Sequence, residues 1–264
     1  MRNTFAFFFF LFAAIQLQAQ DHPSFERKQF IHDGDTLLYR VQYPLKYNPK
    51  KKYPVLVFLH GSGERGNDNN KQLFWGGDLF SNPANRKKFP AIILVPQCPA
   101  NETWGRMKRT QQNPPDSLGN LLFLSDEPIS RPLESVILLL DELVASGGVR
   151  KKQIYIGGLS LGGMGTFEIL WRKPGFFAAA FPICGGGDPE KVSEYVSGTS
   201  FWIFHGEKDP VVKPAHSRRM ADALQKAGFK MKYSEYPGVM HDSWKNAFAE
   251  PDLLPWLFRQ KRKS

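Results

Sequence analysis

A hydroxyl can be presented on a sharp turn when small residues flank it, and Gly158-Leu159-Ser160-Leu161-Gly162 has that form. In a chain with 23 glycines the five-residue pattern says little by itself. Its context says more. An apolar run ends just before Ser160 and a helical pattern opens at Gly163, the strand–turn–helix arrangement of a nucleophile elbow. The glycines two residues to either side relieve crowding at a strained turn. Such a serine attacks acyl carbon, provided that a base takes its proton, an acid orients the base and backbone donors receive the oxyanion.

Six histidines could supply the base. His22 belongs to an N-terminal tail, His32 to a front hairpin and His216 to a helix facing away from catalysis. His60 and His205 sit in His-Gly pairs that end strands, where an imidazole braces a loop. His241 remains, in Gly238-Val239-Met240-His241-Asp242-Ser243-Trp244, and it suits the chain order Ser, Asp, His. Between Ser160 and His241, two acids follow strands. Asp209 lies in His205-Gly206-Glu207-Lys208-Asp209-Pro210, and Asp188 follows Gly185-Gly186-Gly187. Asp209 is the leading candidate, because Asp188 also reads as a helix cap before Pro189. Glu207 and Asp242 read as solvated neighbours. One oxyanion donor is expected from the N–H of Leu161. The other is expected from Ser62, in His60-Gly61-Ser62-Gly63-Glu64-Arg65-Gly66, a loop without the Gly-Lys-Ser/Thr ending of a phosphate-binding P-loop.

These residues need a scaffold, and the apolar pattern supplies one. Residues 25–31 and 36–42 alternate about Asp33-Gly34 and predict an antiparallel front hairpin. Runs at 53–59, 91–95, 153–156, 178–183, 201–204 and 231–236 lack strict alternation, as strands buried on both faces do. Helical periodicity falls between them at 132–145, 163–172 and 215–227. Repeated alternation of strand and helix predicts an α/β fold: a doubly wound, mostly parallel sheet of about eight strands. Residues 99–130 interrupt it. This polar, proline-bearing insertion reads as a lid or substrate-binding loop on the active side of the sheet, with Trp104 as its contact residue. A mobile surface excursion with Trp104 packed beneath is the competing reading.

Residues 1–19 read as a signal peptide, with Arg2, an apolar stretch over 5–15 and Ala19 near the cut. An apolar stretch of about eleven residues is too short for a bilayer, which needs about twenty. The mature chain, 20–264, is therefore expected to be exported, periplasmic or extracellular, as one domain with no stable membrane insertion. The net charge of +10 is dispersed, and no aromatic-studded basic face or known module calls for nucleic acid. A soluble basic surface is the leading reading of that charge, and an anionic polymer as substrate or neighbour is the sharper minority one. Two cysteines, Cys98 and Cys184, are few for a disulfide scaffold, although an exported chain could join them. Two free, part-buried thiols are expected.

The segments from Leu59 to Gly66, Val95-Pro96-Gln97-Cys98-Pro99, Gly158 to Gly163, Pro182 to Asp188 and His241-Asp242-Ser243-Trp244 together resemble bacterial α/β-hydrolases described as predicted peptidases or esterases. These are similar to phospholipase/carboxylesterase, polyhydroxybutyrate-depolymerase-like and feruloyl-esterase-like enzymes. The resemblance implies Ser160, Asp209 and His241 as triad and Ser62 with Leu161 as oxyanion hole. It also implies that strand 91–95 lies outside strand 53–59, with strand 153–156 on the other side, which sets Cys98 and Cys184 about three strand spacings, or roughly 14 Å, apart, beyond the about 7 Å a disulfide spans. Residues 110–130 depart from the family in length. The expected activity is ester hydrolysis through an acyl-enzyme, without metal or organic cofactor. Acetyl or feruloyl groups on polysaccharides are the expected substrates, with Trp104 and Trp244 as binding residues. A peptidase of the same fold and a non-catalytic carbohydrate-binding relative are the alternatives.

Overall fold

The computed structural model describes residues 22–110, 121–195 and 198–262. The expected signal segment lies outside them. Strands β1 (Glu26–His32) and β2 (Asp35–Gln42) form the front hairpin, turning through Asp33 and Gly34 with φ of 48° and 84°. Two successive positive φ values match the right-handed twist of the flanking strands. β3 (Tyr53–Leu59) and β4 (Ile92–Pro96) follow, then a small antiparallel pair, β5 (Met107–Arg109) and β6 (Leu121–Phe123). β7 (Val149–Leu159), β8 (Ala179–Ile183), β9 (Ser200–Gly206) and β10 (Met231–Tyr236) complete the chain of strands. The main sheet has eight strands in the order β1-β2-β4-β3-β7-β8-β9-β10, parallel from β4 to β10 and antiparallel at the β1–β2–β4 edge.

Period-two alternation sends adjacent residues of β3 into different cores. Val55, Val57 and Leu59 pack on one face beneath helices Arg131–Ala145, Leu161–Arg172 and Pro214–Lys226. Leu56 and Phe58 pack on the other. That second face is closed by Leu73, Phe80, Leu254 and Leu257, in or beside short helices Gly77–Ser81 and Leu253–Arg259. Helices of five to seven residues, including Pro83–Lys88 and Trp244–Ala249, present too few turns for periodicity to reveal. β7 also outruns its predicted span of 153–156. Its start at Val149 pairs with Tyr53 although Arg150, Lys151 and Lys152 are exposed, so the strand is set by pairing and not by burial.

Two expectations change here. His22 is buried rather than part of a loose tail: its carbonyl accepts from Arg40 and its ring meets Phe25 edge-on. The insertion is not structureless, since the β5–β6 hairpin organises its described part, while residues 111–120 lie outside the described residues. Cys98 and Cys184 follow β4 and β8, three positions apart in the sheet, and both thiols are free. Each is fully buried, beyond the partial burial expected. Among the described residues no helix is long and apolar enough to cross a membrane.

Where β3 and β7 end, their backbones meet the helix that follows Ser160. A Cβ on Gly162 would stand 2.0 Å from the Leu59 carbonyl oxygen, and one on Gly158 2.4 Å from that of Gly162. Gly63, by contrast, has open space around it. Gly162→Ala is therefore expected to cost about 3 kcal/mol or more, and Gly63→Ala within about 0.5 kcal/mol. Chemical denaturation of the two variants compares them directly.

Candidate active site

Ser160 ends the loop after β7 with φ 52° and ψ −114°, a conformation that non-glycine residues rarely hold. Two backbone bonds fix it: its N–H donates to the Ile183 carbonyl at 2.8 Å, and its own carbonyl accepts from Met164 N–H at 3.0 Å. The strained turn therefore aims the side chain away from the sheet, towards the loop that carries His241.

His241 Nε2 lies 2.9 Å from Ser160 Oγ, and Nδ1 lies 2.7 Å from Asp209 Oδ2. A carboxylate at Nδ1 requires the proton there, which leaves Nε2 to accept the serine hydroxyl. Asp209 itself is buried with its side chain at 0% exposure. Its Oδ1 accepts from the N–H groups of Val211 and Val212 at 2.8 and 3.0 Å, the turn that Pro210 opens. Its Oδ2 is shared between His241 and His205 Nε2, the latter at 3.2 Å. Burial pushes this carboxyl up, but the histidine and backbone donors outweigh it and hold Asp209 well below the usual carboxylate range.

His205 was expected only to brace a loop, and it does more. Its Nε2 also faces the Val212 carbonyl at 2.9 Å, so both neighbours of that nitrogen are acceptors and Nε2 must carry a proton. Its Nδ1 meets Ser217 Oγ at 2.7 Å. The sequence signal was present in the four-residue spacing of His205 and Asp209 across a strand end. His60, the other His-Gly histidine, does brace: Nε2 accepts from Cys98 N–H at 2.9 Å and Nδ1 donates to the Gly61 carbonyl at 2.6 Å. Burial lowers its pKa to about 4, so it stays neutral. Asp188 caps the 3-10 turn Pro189–Glu194 by accepting from Glu190 N–H, which removes it from the competition for the acid. Glu207 is exposed, and Asp242 pairs with Lys245.

Ser62 and Leu161, each the first residue of a helical turn, line the same cavity as Ser160. That cavity holds about 280 Å³, and Met107, Leu121, Met164 and Val212 form its apolar wall. The β5–β6 hairpin thus reaches the site with Met107 and Leu121, two contacts the sequence reading did not single out. Trp104 does not reach it. Its ring is 0% exposed, its Nε1–H donates to the His60 carbonyl at 3.1 Å, and its Cβ sits where a Cβ on Gly165 would fall. The reading of Trp104 as a substrate contact is corrected on that ground: a side chain without exposed surface braces the loop beneath the hairpin. Trp244 is half-buried and meets His241 edge-on at 5.4 Å and Trp75 at 5.3 Å. It lies outside the cavity lining and supports the imidazole from behind.

Cys184 Sγ lies within 4.8 Å of the Asp209 and His241 ligand atoms, the one grouping among the described residues that could hold a metal. Burial pushes the Cys184 thiol up, so its sulfur stays protonated, and the Asp209–His241 bond already engages the other two groups. The donor set suits proton transfer better than cation binding.

The Asp209 network has a signed pH dependence. A carboxyl whose folded pKa lies below its ordinary 3.8 adds stability that is complete above that value and is lost as pH falls through the folded one. His205→Leu removes one donor and is expected to cost about 1–3 kcal/mol at pH 7. The deficit should shrink in acid as Asp209 protonates, as read by denaturation at a series of pH values, whereas a packing defect would persist unchanged.

Known proteins share sequence and fold with this chain. The phospholipase/carboxylesterase family model matches residues 46–250. The crystal structure of a thermostable esterase is 36% identical, with a TM-score of 0.80 over 91% of this chain and 64% of that one. A feruloyl esterase module from Clostridium thermocellum, complexed with sinapinate, shares the fold at TM-score 0.60 and 18% identity, covering 91% and 89% of the two chains. A rice (Oryza sativa subsp. japonica) protein named "Probable carboxylesterase" is 25% identical over 76% of each chain. An "Uncharacterized secreted protein" of Arthroderma benhamiae is 24% identical over 90% of this chain, which spans 27% of that protein's length. With its elbow, sheet order and matched span, the chain belongs to the phospholipase/carboxylesterase family of α/β-hydrolases.

Proposed function

We propose that the chain is a serine carboxylic-ester hydrolase working through Ser160, His241 and Asp209. The observation that carries this reading is the continuous hydrogen-bonded line from Ser160 Oγ through His241 to Asp209, opening on one cavity with Ser62 and Leu161. Ser160 Oγ attacks the ester carbonyl carbon as His241 Nε2 takes its proton. The N–H groups of Ser62 and Leu161 receive the charge that develops on the carbonyl oxygen. His241 then gives the proton to the departing alcohol, which leaves an acyl group on Ser160. Water repeats the sequence and releases the acid. Asp209 stays charged throughout and keeps His241 in the tautomer that both steps need.

The substrates in this proposal are acetyl or feruloyl esters on polysaccharides met outside the cell. The signal-like residues 1–19, the secreted fungal relative and the feruloyl esterase module of like fold support it. The cavity is wide enough for an acyl group larger than acetyl, and its apolar wall suits either.

Ser160→Ala should abolish fluorophosphonate labelling and lower kcat on nitrophenyl acetate by about 10⁶-fold. Asp209→Asn should lower kcat by about 10⁴-fold with the fold retained. A wild-type chain that takes no label would indicate a binding protein. Amide turnover as fast as that of a matched ester would indicate a peptidase.

A further inference from the structure

The wall of the Ser160 cavity divides into two regions. Leu121, Met164 and Val212 are buried and apolar, whereas Arg65 is half-buried and Lys108 and Arg109 are exposed, with no aspartate or glutamate among the described lining residues. Arg65 is held in place: Nε donates to the Ser62 carbonyl and Nη1 to the Glu102 carbonyl, both at 3.1 Å. Both acceptors are neutral, so the guanidinium is oriented without its charge being cancelled. Its anchor on Ser62 ties it to the loop proposed to receive the oxyanion. Lys108, on β5, lines the same cavity, is exposed and makes no ion pair among the described residues. Arg109 donates to the Val211 carbonyl at 2.9 Å and joins the hairpin to the Asp209 turn.

Among the described acids, none pairs with Arg65 or Lys108. Glu64 is part-buried and bonds to Trp75, Glu102 lines a separate cavity beside Asp35 and Arg131, and Asp209 lies behind His241 with its donors already in place. Opposed cations above an apolar wall create a positive potential that water screens incompletely. A neutral acetyl or aryl ester would fill the apolar part and leave Arg65 and Lys108 without an anionic partner.

We infer that the ester taken by this site carries a carboxylate or similar anionic group, bound between Arg65 and Lys108 beside the scissile bond. The inference rests on the esterase reading above and specifies its substrate class. The charge can reside on the acyl side, as in a half-ester of a dicarboxylic acid, or on the alcohol, as in an acylated acidic sugar.

Two matched pairs of esters test this. One pair is a nitrophenyl half-ester of glutaric acid and its methyl-capped neutral counterpart. The other is a phenyl acetate with a carboxylate on the ring and its carboxamide analogue. The ratio of kcat/KM, anionic over neutral and corrected for the uncatalysed rates, is expected to reach about fivefold or more in at least one pair and to fall as salt rises. Arg65→Gln and Lys108→Gln should each lower that ratio. The pair that shows the preference locates the charge on the acyl or the alcohol side. Ratios near one in both pairs, or a preference that both substitutions leave intact, would overturn the inference. Failure of the esterase reading looks different: neither neutral ester would then be turned over in a way that Ser160→Ala abolishes.

Discussion

Backbones approach closely at the elbow, where Gly162 sits against the carbonyl of Leu59 and Gly158 against that of Gly162. No side chain fits there. Because β3, β7 and the helix Leu161–Arg172 converge at that point, the connecting residue is forced to positive φ, and that residue is Ser160. The strain is sustained by what surrounds it: bonds to Ile183 and Met164, and two cores that clamp the sheet from both faces. Moving either glycine outward would detach the serine from the end of the sheet, and with it the geometry of every loop that meets it.

The remaining parts of the site extend from neighbouring strand ends. β3 leads into the loop with Ser62, β9 into the turn with Asp209 and β10 into the loop with His241. Parallel strands put these loops on one edge, which is why residues separated by 81 positions in sequence come within 2.9 Å. The Asp209 carboxylate is the most constrained of these groups. Buried among acceptor-rich backbone, it remains charged only because the Val211 and Val212 amides and the two histidines all donate to it. His205 thereby links the core to this hydrogen-bonded line, through a bond whose only sequence signal is its four-residue spacing from Asp209.

The hydrogen-bonded line of Ser160, His241 and Asp209 and the front hairpin were legible because each has a local signature: Gly-x-Ser-x-Gly between strand and helix, ordered Asp and His after later strands, and Asp-Gly between alternating runs. Trp104 illustrates the opposite case. A tryptophan in a polar insertion looks like a substrate contact, yet its ring fills the space left open by Gly165, sixty-one positions away in the chain. Short helices over the second face were hidden for a related reason, since a five-residue helix has no measurable period and is held by Phe80 against Phe58.

The sequence by itself determined the element order, the parallel sheet, the elbow and the candidates Ser160, His241 and Asp209, because these follow from periodicity and from motifs a few residues long. Tertiary structure alone decided what faces what. It put His205 on Asp209, turned Trp104 inward, set Trp244 behind the imidazole, and brought Arg65 and Lys108 to one cavity over Ser160. Those outcomes depend on contacts between distant segments, whose geometry is fixed by packing and by the competition among polar groups for partners, and no local pattern encodes that competition.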